Sequence, residues 1–218
     1  MGIPFLLKGL LIGLSIAAPL GPIGMLCMNR TQTGGPLVGF TCGLGAAVAE
    51  ALHALAGMIA LAAIAQWVID DPLALRVIGG VFLVYLGART FTRPPLVLPP
   101  LNKGPALAPQ GLPHGAQAAF MASFRLVLAN PMTVLGFAAM FAGLGAAPGR
   151  LLSADSAAAV LVLGVFLGSM LWWLALSSLI GRVRHHIGVH SLTLINRLCG
   201  TVLTAFGLYA IAALLPLL

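Results

Sequence analysis

The chain has 218 residues, 60% of them hydrophobic and 7% charged, with a formal net charge of +7 and a mean hydropathy of +1.08. A globular domain carries about 25% charge, so this composition excludes a soluble protein and points to a polytopic membrane protein. The 11 basic residues are scattered between apolar runs, which argues against a nucleic-acid partner and suits the loop-charge bias of chains that sit in a lipid bilayer.

About 20 apolar residues cross the hydrocarbon core of a bilayer. The runs in chain order are Phe5–Met28, Pro36–Trp67, Pro72–Thr92, Ala116–Ala147, Ser156–Gly181 and Leu192–Leu215, which predict an all-α fold of six transmembrane helices. The opening "MGIPFLLKGLLIGLSIAAP" is similar in size to a signal peptide. Its residues before Lys8 are already apolar and make a poor charged n-region, so it is read as the first span. Runs two and four are longer than a span needs, which predicts tilt, kinks or frayed ends.

The first run is interrupted by "APLGPIG" at residues 18–24. Proline removes an N–H donor and clashes with the carbonyl four residues back, and inside lipid the freed groups find no water. Pro19, Gly21 and Pro22 lie about 15 residues into the span, roughly 22 Å along a helix and past the midplane of a ~30 Å core. A polar cavity that admits water or a zwitterion supplies the missing partners, and the half-helix N-terminus beyond the break favours a carboxylate.

The second run carries Glu50, the one acidic residue deep in a predicted span, 14 residues beyond Pro36. An intramembrane carboxylate is costly and is a functional candidate by default. It can carry a proton, bind an amine, or stand in a buried ion pair with Arg125 of the fourth run. His53 follows by three on the same helix face. Glu-x-x-His is a metal-ligand spacing in helical bundles, but no other span offers a carboxylate near its centre. No metal or other cofactor is therefore expected, and His53 reads as a packing residue or as part of a cavity lining.

Between the third and fourth runs, "RPPLVLPPLNKGPALAPQGLPHG" is rich in proline and glycine and has no helical period, so it reads as a linker. The fourth run carries Asn130 and Pro131 at a depth similar to that of the first break. The fifth carries Trp172 and Trp173 away from the interfacial belts; packing is the default reading of both and a cavity lining the alternative, with Trp172 the candidate lining residue. "HHIGVH" at residues 185–190 reads as a solvated basic loop. The three cysteines, Cys27, Cys42 and Cys199, include no CxxC pair and read as small core residues rather than disulfide partners or metal ligands.

Basic residues set the expected orientation. Connections one, three and five hold Arg30; Arg89, Arg93 and Lys103; and Arg182, Arg184 and Arg197. The opposite side holds Lys8, Arg76 and Arg150. Seven against three places the odd connections in the cytoplasm and both termini outside.

The runs also repeat. "GVFLVYLG" at 80–87 matches "GTVLTAFG" at 200–207, offset by 120. "GFTCG" at 39–43 matches "GVFLG" at 164–168, offset by 125, and "AAPLGP" in run one has a counterpart in "ANP" at 129–131, offset by 112. The three matches stand in the same order. They divide the chain into a three-helix repeat over 1–93, a cytoplasmic linker over 94–115 and a second three-helix repeat over 116–218. An odd number of spans per repeat inverts the second, and inverted repeats with matched broken helices are a transporter signature. The glycines also form small-xxx-small patterns that suit close helix packing or a homodimer.

"LIGLSIAAPLGPIGMLCMNRTQTGG", "GFTCGLGAAVAEALHALAG", "RVIGGVFLVYLGART", "LANPMTVLGFAAMFAGLG", "VLGVFLGSMLWWLALS" and "INRLCGTVLTAFGLYAI" together resemble the LysE/RhtB family of bacterial amino-acid exporters. The resemblance covers nearly the whole chain except the linker. It implies a six-helix inverted-repeat antiporter of the inner membrane, driven by the proton gradient, with motif positions at Pro19, Gly21, Pro22, Asn130 and Pro131. Glu50 falls where Asp is common, and Gly24 where many members carry a polar residue. The expected activity is secondary export of amino acids or related solutes, with no enzymatic step. The alternative is divalent-metal export through Glu50, His53 and the loop histidines. A membrane thiol–disulfide reductase would need Cys27 to have a partner in span four, and the sequence has none there.

Overall fold

A computed structural model describes residues 2–18, 22–67, 72–92, 115–143, 157–182 and 189–213. Most of the linker lies outside the described residues, as do Pro19, Gly21, His185 and His186. The described residues form eight helices: α1 Gly2–Ala17, α2 Pro22–Gly34, α3 Pro36–Trp67, α4 Pro72–Thr92, α5 Ala116–Leu128, α6 Pro131–Gly143, α7 Ala157–Arg182 and α8 Val189–Ala212. The second and third apolar runs coincide with α3 and α4. The first and fourth each become two helices, divided where the sequence places its proline breaks. By length and composition, Pro36–Ala63 and Ala157–Ile180 can each cross a membrane, and α5 with α6 makes a third crossing if the bent pair is one span.

Glycines decide how closely these helices approach. On α4, an added methyl at Gly80 would meet the Gly207 carbonyl at 3.0 Å, and one at Gly87 would meet the Gly200 carbonyl at 2.7 Å. The two helices therefore run antiparallel with their backbones touching, a spacing only glycine permits. On α1, Gly9 lies against Leu161 and Gly13 against Val165, so α1 and α7 run parallel. Gly45 lies against Phe120 and Gly57 against Phe137, so α3 runs parallel to the bent pair α5–α6. The glycines of "GFTCGLG" have three different neighbours: Gly39 meets Thr31, Gly43 meets Trp173 and Gly45 meets α5. Gly35, at φ 88, makes the turn between α2 and α3 in a conformation that L side chains resist.

Two apolar clusters fill the interior. One gathers Ile12, Ala54, Met58, Leu83, Phe137, Phe141, Val165 and Leu203. The other gathers Ala17, Cys27, Cys42, Ala49, Val127, Trp173 and Ile180. On every central helix the passage from one cluster to the other occurs at the same level: between Ala49 and Ala54 on α3, between Val165 and Trp173 on α7, and between Val127 and Phe137 across the α5–α6 break. Polar side chains occupy that level. The outward faces are apolar, with Leu7, Ile78, Leu163 and Leu198 all exposed, the reverse of what water selects for large side chains.

Candidate functional site

The geometry of the second break follows from its sequence. The axes of α5 and α6 differ by 65°. Pro131 has no N–H to donate. The Asn130 N–H turns back to the Val127 carbonyl at 2.9 Å, closing α5 tightly. In an unbroken helix the Met132 N–H would bond the Leu128 carbonyl. Here it donates to Asn130 Oδ1 at 3.2 Å, and the Thr133 N–H donates to the Asn130 carbonyl at 3.1 Å. Asn130 is thus the N-cap of α6 and Pro131 its first residue, the positions each type favours at a helix start. The carbonyls of Leu128 and Ala129 lose their helical donors. The His53 ring, on α3, lies against the Leu128 carbonyl, and Ala129 borders a cavity.

That cavity encloses about 620 Å³, and every one of the eight helices contributes to its wall. Its volume lies within the usual range for small-molecule sites, about 300–1,000 Å³. The polar wall consists of Glu50 on α3, Arg89 and Thr90 on α4, Asn130 and Thr133 at the break, and Trp173 on α7. Ile16, Ile23, Leu83, Leu86, Leu126 and Leu203 supply much of the apolar wall. Glu50 is 4% exposed and its Oε2 has no hydrogen-bond partner. Ser169 on α7 is its side-chain partner, and the same hydroxyl lies 3.3 Å from the Gly13 carbonyl. Arg125 is exposed on α5 and does not act on Glu50, so the ion pair weighed from the sequence is not formed.

Of the residues singled out in the sequence, the structure brings Glu50, Asn130 and Pro131 to one cavity. Pro22 opens α2, and the next residue, Ile23, lines the same cavity. His53 and Trp172 are not part of the lining. His53 is 4% exposed and packs at the break, and Trp172 packs against the apolar cluster that includes Trp173. Trp173, rather than its neighbour, faces the cavity, because the interior side of α7 follows Val165, Ser169, Trp173 and Leu176 at three- and four-residue steps. Arg89, Thr133 and Ser169 join the site without having been singled out in the sequence. The i, i+4 phase from Val165 indicates Ser169 and Trp173, whereas no local pattern marks Arg89, an exposed residue, as bordering the cavity. Cys27 and Cys42, read as separate core residues, are neighbours across α2 and α3 with sulfurs 2.8 Å apart, and both are free thiols. Among the described residues no three His, Cys, Asp or Glu side chains gather at one point.

Four of the eight helices arise by breaking two apolar runs, and a mixed polar and apolar cavity lies at the second break, an arrangement suited to a small solute. The chain matches the family described as LysE type translocator over residues 14–213, and it belongs to that family of membrane exporters. No curated protein and no solved structure matches it.

Proposed function

We propose that the protein is a proton-coupled secondary exporter of amino acids or closely related solutes, with its site at the cavity between the broken helices. The observation that carries this reading is the convergence of Glu50, with its unpartnered Oε2, and the Asn130–Pro131 break on one cavity of about 620 Å³. Glu50 exchanges a proton or receives the solute's ammonium group. The freed backbone at Ala129 and the remaining amide capacity of Asn130 offer hydrogen bonds to the solute, and burial excludes competing water.

Two three-helix repeats, over 1–93 and 116–218, supply the moving parts. Pairings of the kind an in-plane two-fold axis requires support this. Gly80 lies against Gly207, and the exchange of repeats turns that contact into Gly200 against Gly87, which is also present. Rocking of one repeat against the other alternates access to a fixed midplane site. The basic-residue bias places the linker in the cytoplasm and both termini outside, in a bacterial inner membrane. The glycine faces described above serve packing within the chain, so a homodimer gains no support from them. The alternative is divalent-metal export through Glu50, His53 and the loop histidines, of which His185 and His186 lie outside the described residues.

Efflux from proteoliposomes loaded with a panel of amino acids, with and without an imposed proton gradient, tests the reading. Gradient-dependent efflux of at least one amino acid, lost in Glu50→Gln, is the expected result. Absence of efflux under every gradient, or wild-type rates in Glu50→Gln, overturns it.

A further inference from the structure

The cavity wall carries one acidic and one basic side chain. Glu50 is buried on α3, whereas Arg89, in the last turn of α4 three residues before its end at Thr92, is an exposed side chain that borders the cavity. Two of the buried groups on this wall have no partner: Glu50 Oε2 and Trp173 Nε1, on side chains 4% and 2% exposed. Unpaired polar groups at that depth are expensive, so a molecule that satisfies them gains more here than it would in water. The remaining wall is largely aliphatic, with Ile16, Ile23, Leu83, Leu86 and Leu203 among its members.

These features select a solute. A molecule matched to both charged groups carries an ammonium for Glu50 and a carboxylate for Arg89. A planar guanidinium is the side chain best suited to grip a carboxylate with two hydrogen bonds. The part of the solute that faces the aliphatic wall loses least if it is uncharged, because an extra ammonium or carboxylate there has no partner.

We propose that Arg89 is the carboxylate-recognising residue of the cavity, and that the exported solutes are zwitterionic amino acids with uncharged, aliphatic side chains. This rests on the exporter reading above and narrows it. Under that reading Arg89 stands at the cytoplasmic end of α4, where a solute bound for export arrives. Arg89 therefore holds the solute's carboxylate at the cytoplasmic side of the cavity while Glu50 holds its ammonium at depth.

The test uses the full-length protein in detergent and compares wild type, Arg89→Gln and Arg89→Lys. The probes are L-leucine, isoamylamine (leucine without its carboxylate), 4-methylpentanoate (leucine without its ammonium) and L-lysine. Binding is read by equilibrium dialysis, with thermal unfolding of each variant as a control for folding. Wild type binds leucine at least about tenfold more tightly than either single-charge analogue or lysine. Arg89→Gln weakens leucine to the level of isoamylamine and leaves isoamylamine unchanged, and Arg89→Lys restores part of the difference. A leucine-to-isoamylamine ratio that is the same in Arg89→Gln and wild type overturns the role of Arg89. Tighter binding of lysine than leucine, with gradient-driven lysine efflux, overturns the solute class and leaves the exporter reading standing. Failure of every amino acid to bind or move overturns both.

Discussion

The seam between α4 and α8 and the cavity beside the α5–α6 break are built on opposite terms. In the seam, Gly80, Gly87, Gly200 and Gly207 bring two backbones into contact and leave no space. At the break, the same chain leaves about 620 Å³ and lines it with a buried carboxylate, an indole and a helix cap. Membrane helices gain no hydrophobic drive by meeting each other, so they associate through close packing and interhelical hydrogen bonds. The seams hold the bundle together through packing, while the cavity carries groups that packing alone would never place there. Under the proposed function, stability and transport therefore fall on different residues, and substitutions can separate them.

The largest effect is expected in the seam. Gly87→Leu places a side chain against the Gly200 carbonyl and Thr204. Overpacking costs about 1–3 kcal/mol even where side chains can yield, and backbone atoms yield less. Folded protein is expected to fall to a small fraction of wild type, as read by size-exclusion chromatography of detergent extracts. Normal recovery would mean that the two helices are not in backbone contact.

Glu50→Gln should do the reverse. It keeps the side chain's size and removes its ionisable carboxyl, so the protein should be recovered at wild-type levels while efflux falls by roughly a hundredfold or more. Loss of folding without a specific loss of transport would assign Glu50 to the seam side of the comparison.

Asn130→Ala removes the cap on Met132. Loss of an N-cap costs about 1 kcal/mol, so a drop of a few degrees in unfolding temperature is expected. Asn130→Ser or Asn130→Asp should recover most of it, since both can cap. If transport falls in all three variants while stability recovers in two, Asn130 contacts the solute through its amide as well as capping the helix.

The smallest effect concerns the thiols of Cys27 and Cys42. With their sulfurs 2.8 Å apart across α2 and α3, a membrane-permeant thiol oxidant should link them within one chain. Both thiols are lost to alkylation after denaturation, and Cys27→Ser leaves Cys42 free. Continued alkylation of both after oxidation would place α2 further from α3 than the fold has it.

Much of the fold was legible because hydrophobic run length responds directly to bilayer thickness. The bounds of α3 and α4 follow from Pro36, Trp67, Pro72 and Thr92, and the second break follows from the missing N–H of Pro131. The pairing of helices was less legible. The glycines of 80–87 and 200–207 look like a repeat in sequence, and nothing local says that they touch each other. At the site, Glu50 and Asn130–Pro131 could be found because a lone buried acid and a mid-span Asn-Pro are rare in lipid. Asn130's capping role depends on where the Met132 N–H turns. The place of exposed Arg89 at the edge of the cavity depends on how α4 rotates against α6 and α8. Trp173 was distinguished from Trp172 only by the phase of α7 around Ser169, and the neighbouring thiols only by the sharp turn at Gly35.

Passage of solute through the cavity at the break can be tested directly with a reactive thiol. Thr133→Cys places one on the cavity wall, and Ala46→Cys, at a fully buried core position, serves as the control. In proteoliposomes, a small cationic thiol reagent should modify Thr133→Cys and leave Ala46→Cys unmodified, the modification should stop efflux, and transported amino acid should slow it. Modification of Thr133→Cys that leaves efflux intact and is indifferent to solute would contradict the account.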